Sequence, residues 1–219
     1  MVGHRFHRTV LILDWIGLAQ RNGFLYTQAS RHIHQHVVSR GLVCDHIRDH
    51  TPQYHLRVNL GCIPDQANRL GRLVVAGVFG GRMADIVGRC GATAVKVEAP
   101  WGRIVDPADI AAALETTKSP KLVAVVHAET STGAWQPLEE IGKLAHRAGA
   151  LYVVDTVTSL GGQEVAVDDW GIDICYSGTQ KCLSCPPGLA PFTANEKALA
   201  AVQKRTHKEH SWYLDLSLL

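Results

Sequence analysis

Short apolar runs separated by amphipathic stretches fill the chain from residue 73 onward. Their length and continuous apolar character are typical of strands that are buried on both faces. They occupy residues 73–76, 94–97, 122–126, 151–155 and 173–178. Because these runs alternate with helical stretches through short connectors, the pattern predicts repeated βαβ units. We therefore expect an α/β fold in which helices flank a mostly parallel sheet.

The stretches between the runs carry the spacing and the end signals of helices. A first helix is predicted after a glycine turn, formed by Gly77, Gly80 and Gly81, and before a stop at Gly91. Its apolar face consists of Met83, Ile86, Val87 and Cys90. A second helix is predicted near Pro107. A third has Pro137 in its first turn, with acidic residues early and basic residues late.

Two chemically distinctive residues stand where consecutive predicted strands end. Asp155 closes the run 151–155, and Lys181 follows the run 173–178. Because ligands of parallel sheets bind outside the carboxyl ends of the strands, the pattern directs a carboxylate and an amine into one crevice. A carboxylate and a lysine acting on opposite ends of an aromatic aldehyde are the chemistry of pyridoxal 5′-phosphate (PLP). This stretch therefore predicts a PLP site.

The overall composition is typical of a soluble globular protein of 219 residues. Hydrophobic residues make up 46% and charged residues 19%, and the net charge of +2 favours neither a nucleic-acid nor a membrane partner. No run reaches the ~20 apolar residues that a membrane span needs. The six cysteines lack regular spacing, which favours a reducing compartment over a disulfide framework. We therefore expect a cytoplasmic protein.

Residues 1–72 differ in composition from the rest of the chain. They contain nine Arg and eight His but neither Lys nor Glu, whereas residues 73–219 contain eight Lys and eight Glu. Lys and Glu are among the commonest surface residues of globular domains, so their absence over 72 residues is unusual. The segment is either a divergent extension or the product of a shifted reading frame, and we favour the second interpretation. We expect it to fold poorly.

Two clusters have the residue types of metal or redox sites. His32, His34 and His36 would share one face of a strand, and imidazole binds zinc or copper. A segment so rich in histidine produces such a triplet by chance, and no acidic or Cys ligand stands nearby at motif spacing. Cys182 and Cys185 form one C-x-x-C pair before Pro-Pro-Gly, and we interpret them as small buried residues. We expect no metal site.

Six motifs occur in the order in which one enzyme family carries them. They are GVFGGRMADI, EAPWG, AETSTGAWQPLEEIG, VVDTVTSLGG, DICYSGTQKCLSCPPGLAP and SWYLDLSLL. From residue 73 to 219 the chain resembles the class V, fold-type I PLP aminotransferases, and within them the alanine–glyoxylate and serine–pyruvate aminotransferase group. The resemblance implies that 73–219 is a partial PLP-binding large domain, whereas 1–72 is unmatched. It also implies small amino acid and 2-oxo acid substrates and a homodimer.

The resemblance assigns roles to Lys181 and Asp155. Lys181 matches the Schiff-base lysine, which also moves the α-proton as general acid and base. Asp155 matches the carboxylate that pairs with the pyridine nitrogen and keeps it protonated. From the residues alone, Asp155 is also compatible with the N-cap of a helix that starts at residue 156. The preceding Gln180 argues against the cysteine desulfurases, whose motif places a histidine before the lysine.

Further cofactor contacts follow from the same resemblance. Thr130 matches a hydroxyl near the phenolic oxygen, although a helix cap is an alternative for it. Gln180 matches an amide that binds the phosphate, and Ser177 and Gly178 belong to the same turn. Phe79 matches an aromatic residue that stacks on the pyridine ring, and it could equally be a core residue.

The chain also departs from the pattern of the family. No glycine- and serine-rich SGTGS-like phosphate loop precedes Gly77 within residues 30–72. The partner-subunit Tyr and Thr and the carboxylate-binding Arg of the family would lie beyond Leu219. We therefore expect a chain truncated at both ends. The resemblance implies a transaminase that moves an amino group from alanine or serine to glyoxylate or pyruvate. The alternative is an inactive fragment or interaction remnant of such an enzyme. The resemblance leaves a peroxisomal or mitochondrial location open.

Overall fold

The structure is a computed structural model that describes residues 9–14, 70–205, 212 and 215–218. Within these ranges, seven strands form one sheet. The strands are β1 (Thr9–Asp14), β2 (Leu70–Val75), β3 (Thr93–Glu98), β4 (Leu122–Val126), β5 (Leu151–Asp155), β6 (Ile174–Tyr176) and β7 (Leu189–Ala194). The helices are α1 (Val78–Arg89), α2 (Pro107–Glu115), α3 (Glu139–Arg147) and α4 (Glu196–Gln203). In this part of the chain, none of the helices has the length and apolarity to cross a membrane.

The strands lie in the order β1-β7-β6-β5-β4-β2-β3. All pairs from β3 to β6 are parallel, whereas β7 runs antiparallel to both β6 and β1. The predicted fold, a mostly parallel sheet flanked by helices, is therefore confirmed. Strands β4 and β5 have the predicted bounds, whereas β2 begins at Leu70, three residues before the predicted run. Strand β2 spans residue 72. The predicted division into domains at that residue stays a prediction.

The central strands supply side chains to two hydrophobic cores, one on each face of the sheet. In β4, Leu122, Ala124 and Val126 pack with α1 and α4, whereas Val123 and Val125 pack with α2 and α3. This split follows from the two-residue period of a strand. All five residues of β4 and all five of β5 are buried. The continuous apolar runs of the sequence are therefore explained by helices that cover both faces.

The first helix begins earlier than its glycines suggest. Met83, Ile86 and Val87 are buried, and Gly91 follows the helix with φ of 73°, as its predicted stop requires. The predicted glycine turn is wrong, because Gly80 and Gly81 already belong to α1, which starts at Val78. Its first turn is capped from a distant part of the chain, and local sequence does not reveal that cap. Helix α3, in contrast, begins later than predicted. It starts at Glu139, so Pro137 precedes its first turn.

A buried carboxylate ties several elements together at the amino ends of the central strands. Asp173 precedes β6 and is 1% exposed. Its Oδ2 accepts hydrogen bonds from the Tyr152 backbone N–H (2.7 Å) and lies 3.1 Å from His146 Nε2 and 3.5 Å from Lys197 Nζ. Its Oδ1 accepts from the Asn195 side chain at 2.6 Å. This cluster is structural and lies at the sheet edge opposite to Asp155.

The predicted histidine triplet, His32, His34 and His36, lies outside the described residues. Within the described ranges, no group of three or more His, Cys, Asp or Glu side chains is arranged to hold a metal ion.

Candidate active site

Four loops that follow the parallel strands β2, β4, β5 and β6 meet at the carboxyl edge of the sheet. The loop after β2 leads to Phe79 in the first turn of α1, the loop after β4 carries Thr130, and β5 ends at Asp155. The loop after β6 carries Lys181. Since these strands are neighbours and parallel, the structure brings all four predicted loops to the same edge.

Asp155 is the buried polar centre of this edge. The residue is 7% exposed. Its Oδ1 accepts a hydrogen bond from the Val157 backbone N–H at 2.8 Å, and its Oδ2 accepts one from the Tyr176 hydroxyl at 2.8 Å. No helix begins at residue 156, where the described chain forms a turn, so the helix-capping alternative is wrong. The two hydrogen bonds fix the direction of the carboxylate.

Burial raises the pKa of Asp155 to about 6, and the nearby charge of Glu129 adds to this effect. The hydrogen bonds from Val157 and Tyr176 act in the opposite direction. Burial also raises the pKa of the Tyr176 phenol well above its ordinary value, so this group stays protonated and donates. Among the hydrogen bonds of Asp155, neither donor is cationic. A buried carboxylate of this kind is suited to a cationic ligand atom.

Thr158 connects the loop of Thr130 to the loop of Lys181. The Thr130 and Thr158 hydroxyl oxygens lie 2.6 Å apart, and the Cys182 thiol donates to the Thr158 carbonyl at 3.0 Å. A Cβ atom on Gly162 would lie 2.6 Å from Cys182 Sγ, so the glycine makes this approach possible. No helix begins at Thr130 in the described chain, which removes helix capping as its alternative role.

The turn that leads to Lys181 is tightly packed. Ser177 is buried and its hydroxyl donates to the Thr156 carbonyl at 3.0 Å. A Cβ atom on Gly178 would lie 2.6 Å from Gln180 Oε1, so Gly178 lets the Gln180 side chain fold over the backbone. Lys181 itself is half-buried at the end of this turn. Ser177 and Gly178 thus shape the turn, and Gln180 and Lys181 follow from it.

The structure corrects the interpretation of the cysteine pair. Cys182 and Cys185 are free thiols, and both are exposed rather than buried. They lie in a turn closed by a hydrogen bond from the Ser184 N–H to the Lys181 carbonyl, at 2.9 Å.

Glu129 joins the loop after β4 to the start of α1. Its carboxylate is 2% exposed. Oε2 accepts hydrogen bonds from the backbone N–H groups of Phe79 (3.1 Å) and Gly80 (3.2 Å). Oε1 accepts from the backbone N–H (3.1 Å) and the hydroxyl (2.7 Å) of Ser131. Ser131 Oγ in turn accepts from the Val78 N–H at 3.1 Å. The carboxylate therefore caps the first turn of a helix in which Gly80 lies 49 residues earlier in the chain.

Phe79 occupies the first turn of that helix. Its ring is partly buried against the hydrophobic core that also contains Val157 and Tyr176. The Arg82 guanidinium lies 5.0 Å from the ring centroid. Phe79 therefore borders the elements that hold Asp155, which is compatible with both the stacking and the core role predicted for it.

His127, at the end of β4, is buried and neutral. Burial lowers its pKa to about 4. Its Nε2 accepts a hydrogen bond from Trp135 Nε1 at 2.7 Å, which places the ring proton on Nδ1, 2.9 Å from Ser159 Oγ. Both ring nitrogens are thus occupied by neutral partners, and His127 supports the loop as a structural residue.

Replacing Gly77 with alanine is expected to destabilise the chain by about 1–3 kcal/mol, because the added methyl overpacks a filled space. A Cβ atom there would lie 2.6 Å from both Glu129 Cγ and Ser131 Oγ. The matched control is Gly81→Ala in the same helix, where a Cβ atom meets nothing within 4 Å. This variant should gain up to about 1 kcal/mol of helix propensity. Urea unfolding of both variants measures the difference, and equal stabilities would contradict the packing described.

A cavity of about 520 Å³ lies beside the site, between the loop 165–169 and strands β6 and β7. Its wall includes Thr156, Ser177 and Thr193, but neither Asp155 nor Lys181. The cavity therefore adjoins the candidate active site, and Ser177 and Tyr176 belong to the shared wall.

Three residues of the site were not found by sequence reasoning, namely Glu129, Thr158 and Tyr176. Tyr176 is the register partner of Asp155, which becomes visible only once β5 and β6 are paired. Glu129 had a usable signal in the sequence, because it lies three residues after the end of an apolar run and directly before Thr130, one of the predicted site residues.

Comparisons with known proteins show the family and the fold of this chain. The chain is 46% identical over 143 residues to an uncharacterized aminotransferase of Methanocaldococcus jannaschii, covering 65% of this chain and 37% of that protein. It is 44% identical over 135 residues to the (S)-ureidoglycine–glyoxylate transaminase of Bacillus subtilis, covering 62% and 32%. A solved alanine–glyoxylate aminotransferase from Nostoc sp. superposes with a TM-score of 0.71 at 42% identity, covering 76% and 43%.

These likenesses confirm the predicted fold-type I large domain in the described part of the chain. The matched region spans about a third of the length of the curated relatives. The sequence profile of the class-V aminotransferases matches residues 82–207, which is more than half of the chain. The chain therefore belongs to the class-V aminotransferase family.

Proposed function

We propose that this chain is the cofactor-binding part of a PLP-dependent transaminase that uses glyoxylate as amino acceptor and alanine or serine as donor. The observation that carries the proposal is that buried Asp155 and the loop of Lys181 lie at the same edge of the sheet. The similarity to an alanine–glyoxylate aminotransferase and to a ureidoglycine–glyoxylate transaminase supports glyoxylate. Pyruvate is the alternative acceptor.

The described residues fit PLP at the pyridine end. Asp155 is a buried carboxylate whose pKa burial raises to about 6, and both of its hydrogen-bond donors are uncharged. A protonated ring nitrogen placed against it would supply the missing positive charge. That charge would keep Asp155 ionised at neutral pH, and Tyr176 and Val157 would hold the carboxylate in place.

PLP, when bound, supplies an electron sink that makes the α-proton of an amino acid acidic. Lys181 provides the amine to which the cofactor is attached, and the same amine later carries the α-proton. The turn that carries Lys181 is anchored by the hydrogen bond from the Cys182 thiol to the Thr158 carbonyl. This contact joins the turn of Lys181 to the loop that follows β5.

The remaining predicted residues would contact the ring and the phosphate of the cofactor, beside Asp155 and Lys181. We propose that Phe79 stacks on the ring, that Thr130 approaches the phenolic oxygen and that Gln180 binds the phosphate. Ser177 and Gly178 would contribute the shape of the turn that delivers Gln180 and Lys181. The resemblance to the family further supports a homodimer as the assembly in which the site is completed.

The test is cofactor capture by the purified 219-residue chain. Addition of PLP should give a yellow absorbance band that borohydride removes, and peptide mapping should then place the pyridoxyl group on Lys181. Alanine and glyoxylate together should give pyruvate and glycine, measured by coupled lactate dehydrogenase and by mass spectrometry. Pyridoxyl found only on other lysines would overturn the assignment of Lys181. One equivalent of pyruvate per bound cofactor is expected without glyoxylate, because the cofactor keeps the amino group, and continued pyruvate formation beyond that equivalent would overturn transamination.

A further inference from the structure

We infer that Glu129 is a positioning residue for the cofactor ring, because it fixes the first turn of α1 and thereby the direction of the Phe79 side chain. The inference rests on the proposed function, since it gives Phe79 the ring-stacking role. Glu129 itself touches backbone N–H groups and Ser131, so it acts through Phe79.

The contacts of Glu129 are more than a helix cap needs. Two of its four hydrogen bonds go to the backbone of Phe79 and Gly80, and the other two go to Ser131, next to Thr130. One buried carboxylate thus holds the backbone of one proposed cofactor contact and the neighbour of another. A second link, from the Thr132 hydroxyl to the Ala76 carbonyl at 3.3 Å, joins the same two loops.

The loops around Glu129 are built to admit this carboxylate. Gly77 carries no side chain at the point where a Cβ atom would lie 2.6 Å from Glu129 Cγ. Because Glu129 is almost completely buried, any group that replaces it must satisfy four hydrogen-bond donors without water. Glutamine has nearly the same shape, but its NH₂ group would face the N–H groups of Phe79 and Gly80 in one orientation and the N–H of Ser131 in the other. Glu129→Gln therefore releases one of the two loops.

The experiment is a double-mutant cycle on PLP affinity with Glu129→Gln and Phe79→Ala in the full chain. In the otherwise unchanged chain, Glu129→Gln should raise the dissociation constant of PLP about tenfold. In the Phe79→Ala chain, the same change should raise it less than about twofold, because the residue through which Glu129 acts is absent. The matched control is Glu139→Gln, an exposed glutamate paired with Lys143, which should leave PLP affinity unchanged.

Amide hydrogen exchange of the cofactor-free chain gives a readout that does not depend on PLP. Peptides that contain residues 78–80 should exchange at least about tenfold faster in Glu129→Gln than in Glu139→Gln. A merely structural role would lower the unfolding midpoint and give additive effects in the cycle. Additive effects, or unchanged exchange in the first turn of α1, would overturn the inference. If the unaltered chain takes up no PLP on Lys181, the proposed function fails, and the positioning role fails with it.

Discussion

Lys181→Ala is expected to abolish covalent capture of PLP and to lower transaminase turnover by at least about 1,000-fold, because the attached amine and the proton carrier are lost together. The absorbance band that borohydride removes should disappear, and no pyridoxyl peptide should remain. Retained noncovalent binding, measured by equilibrium dialysis, would show that the rest of the site is intact. Steady-state rates with alanine and glyoxylate measure the loss of turnover.

The matched control for this variant is Lys143→Ala. Lys143 is an exposed lysine of α3 whose Nζ lies 2.6 Å from Glu139, in a surface pair that contributes little to stability. Capture and turnover should be unchanged in this variant. Capture that survives in Lys181→Ala and fails in Lys143→Ala would move the attachment point away from the β6 loop.

Asp155→Asn is expected to slow turnover by two or more orders of magnitude, because an amide does not hold a ring nitrogen in its protonated form. Capture of PLP on Lys181 should persist, so the loss should appear in kcat more than in KM. Single-turnover rates with α-deuterated alanine locate the loss at proton removal. A turnover equal to that of the unaltered chain would show that Asp155 does not pair with the ring.

The same substitution has a pH signature in the cofactor-free chain. The pKa of Asp155 is about 6 in the folded chain and 3.8 as its ordinary value, so the folded state holds the proton more tightly. Stability from this group is fully present below pH 3.8 and is lost as pH rises through 6, by about 3 kcal/mol. The stability of Asp155→Asn relative to the unaltered chain should therefore increase across this window. Urea unfolding at several pH values measures the change.

Asp173→Asn is the matched control for a lost buried carboxylate. Asp173 is as buried as Asp155 but lies at the opposite sheet edge, where His146 and Lys197 are near it. Its replacement should lower stability while kcat of the folded fraction stays unchanged. A large fall in kcat would mean that the loss in Asp155→Asn reports general damage to the sheet.

The sheet could be read from the sequence where helices cover both faces. Strands β4 and β5 are continuous apolar runs because each side chain meets a helix layer, and their bounds follow directly. The start of α1 could not be read in this way. The glycines at 77, 80 and 81 suggest a turn, but Gly80 and Gly81 lie in a helix. The carboxylate of Glu129, 49 residues after Gly80, accepts hydrogen bonds from the N–H groups of Phe79 and Gly80 in its first turn.

The sequence predicts those site residues that lie at the ends of strands. Asp155 and Lys181 follow apolar runs, so their placement at the sheet edge came from pattern alone. The partners of Asp155 depend on register, and Tyr176 enters the site only because it lies opposite Asp155 in neighbouring strands. The exposure of Cys182 and Cys185 depends on a turn in which Ser184 has φ of 56°, a conformation that the residue types do not announce.

The distant origin of the cap on α1 has a consequence for biosynthesis. During translation the segment 78–89 emerges well before Glu129, and its first turn has no cap until β4 and the loop after it have left the ribosome. The contact of Cys182 with Thr158 requires still later residues. A ribosome-bound chain that ends before residue 182 therefore lacks the contact between these two loops, and the candidate site is completed late in synthesis.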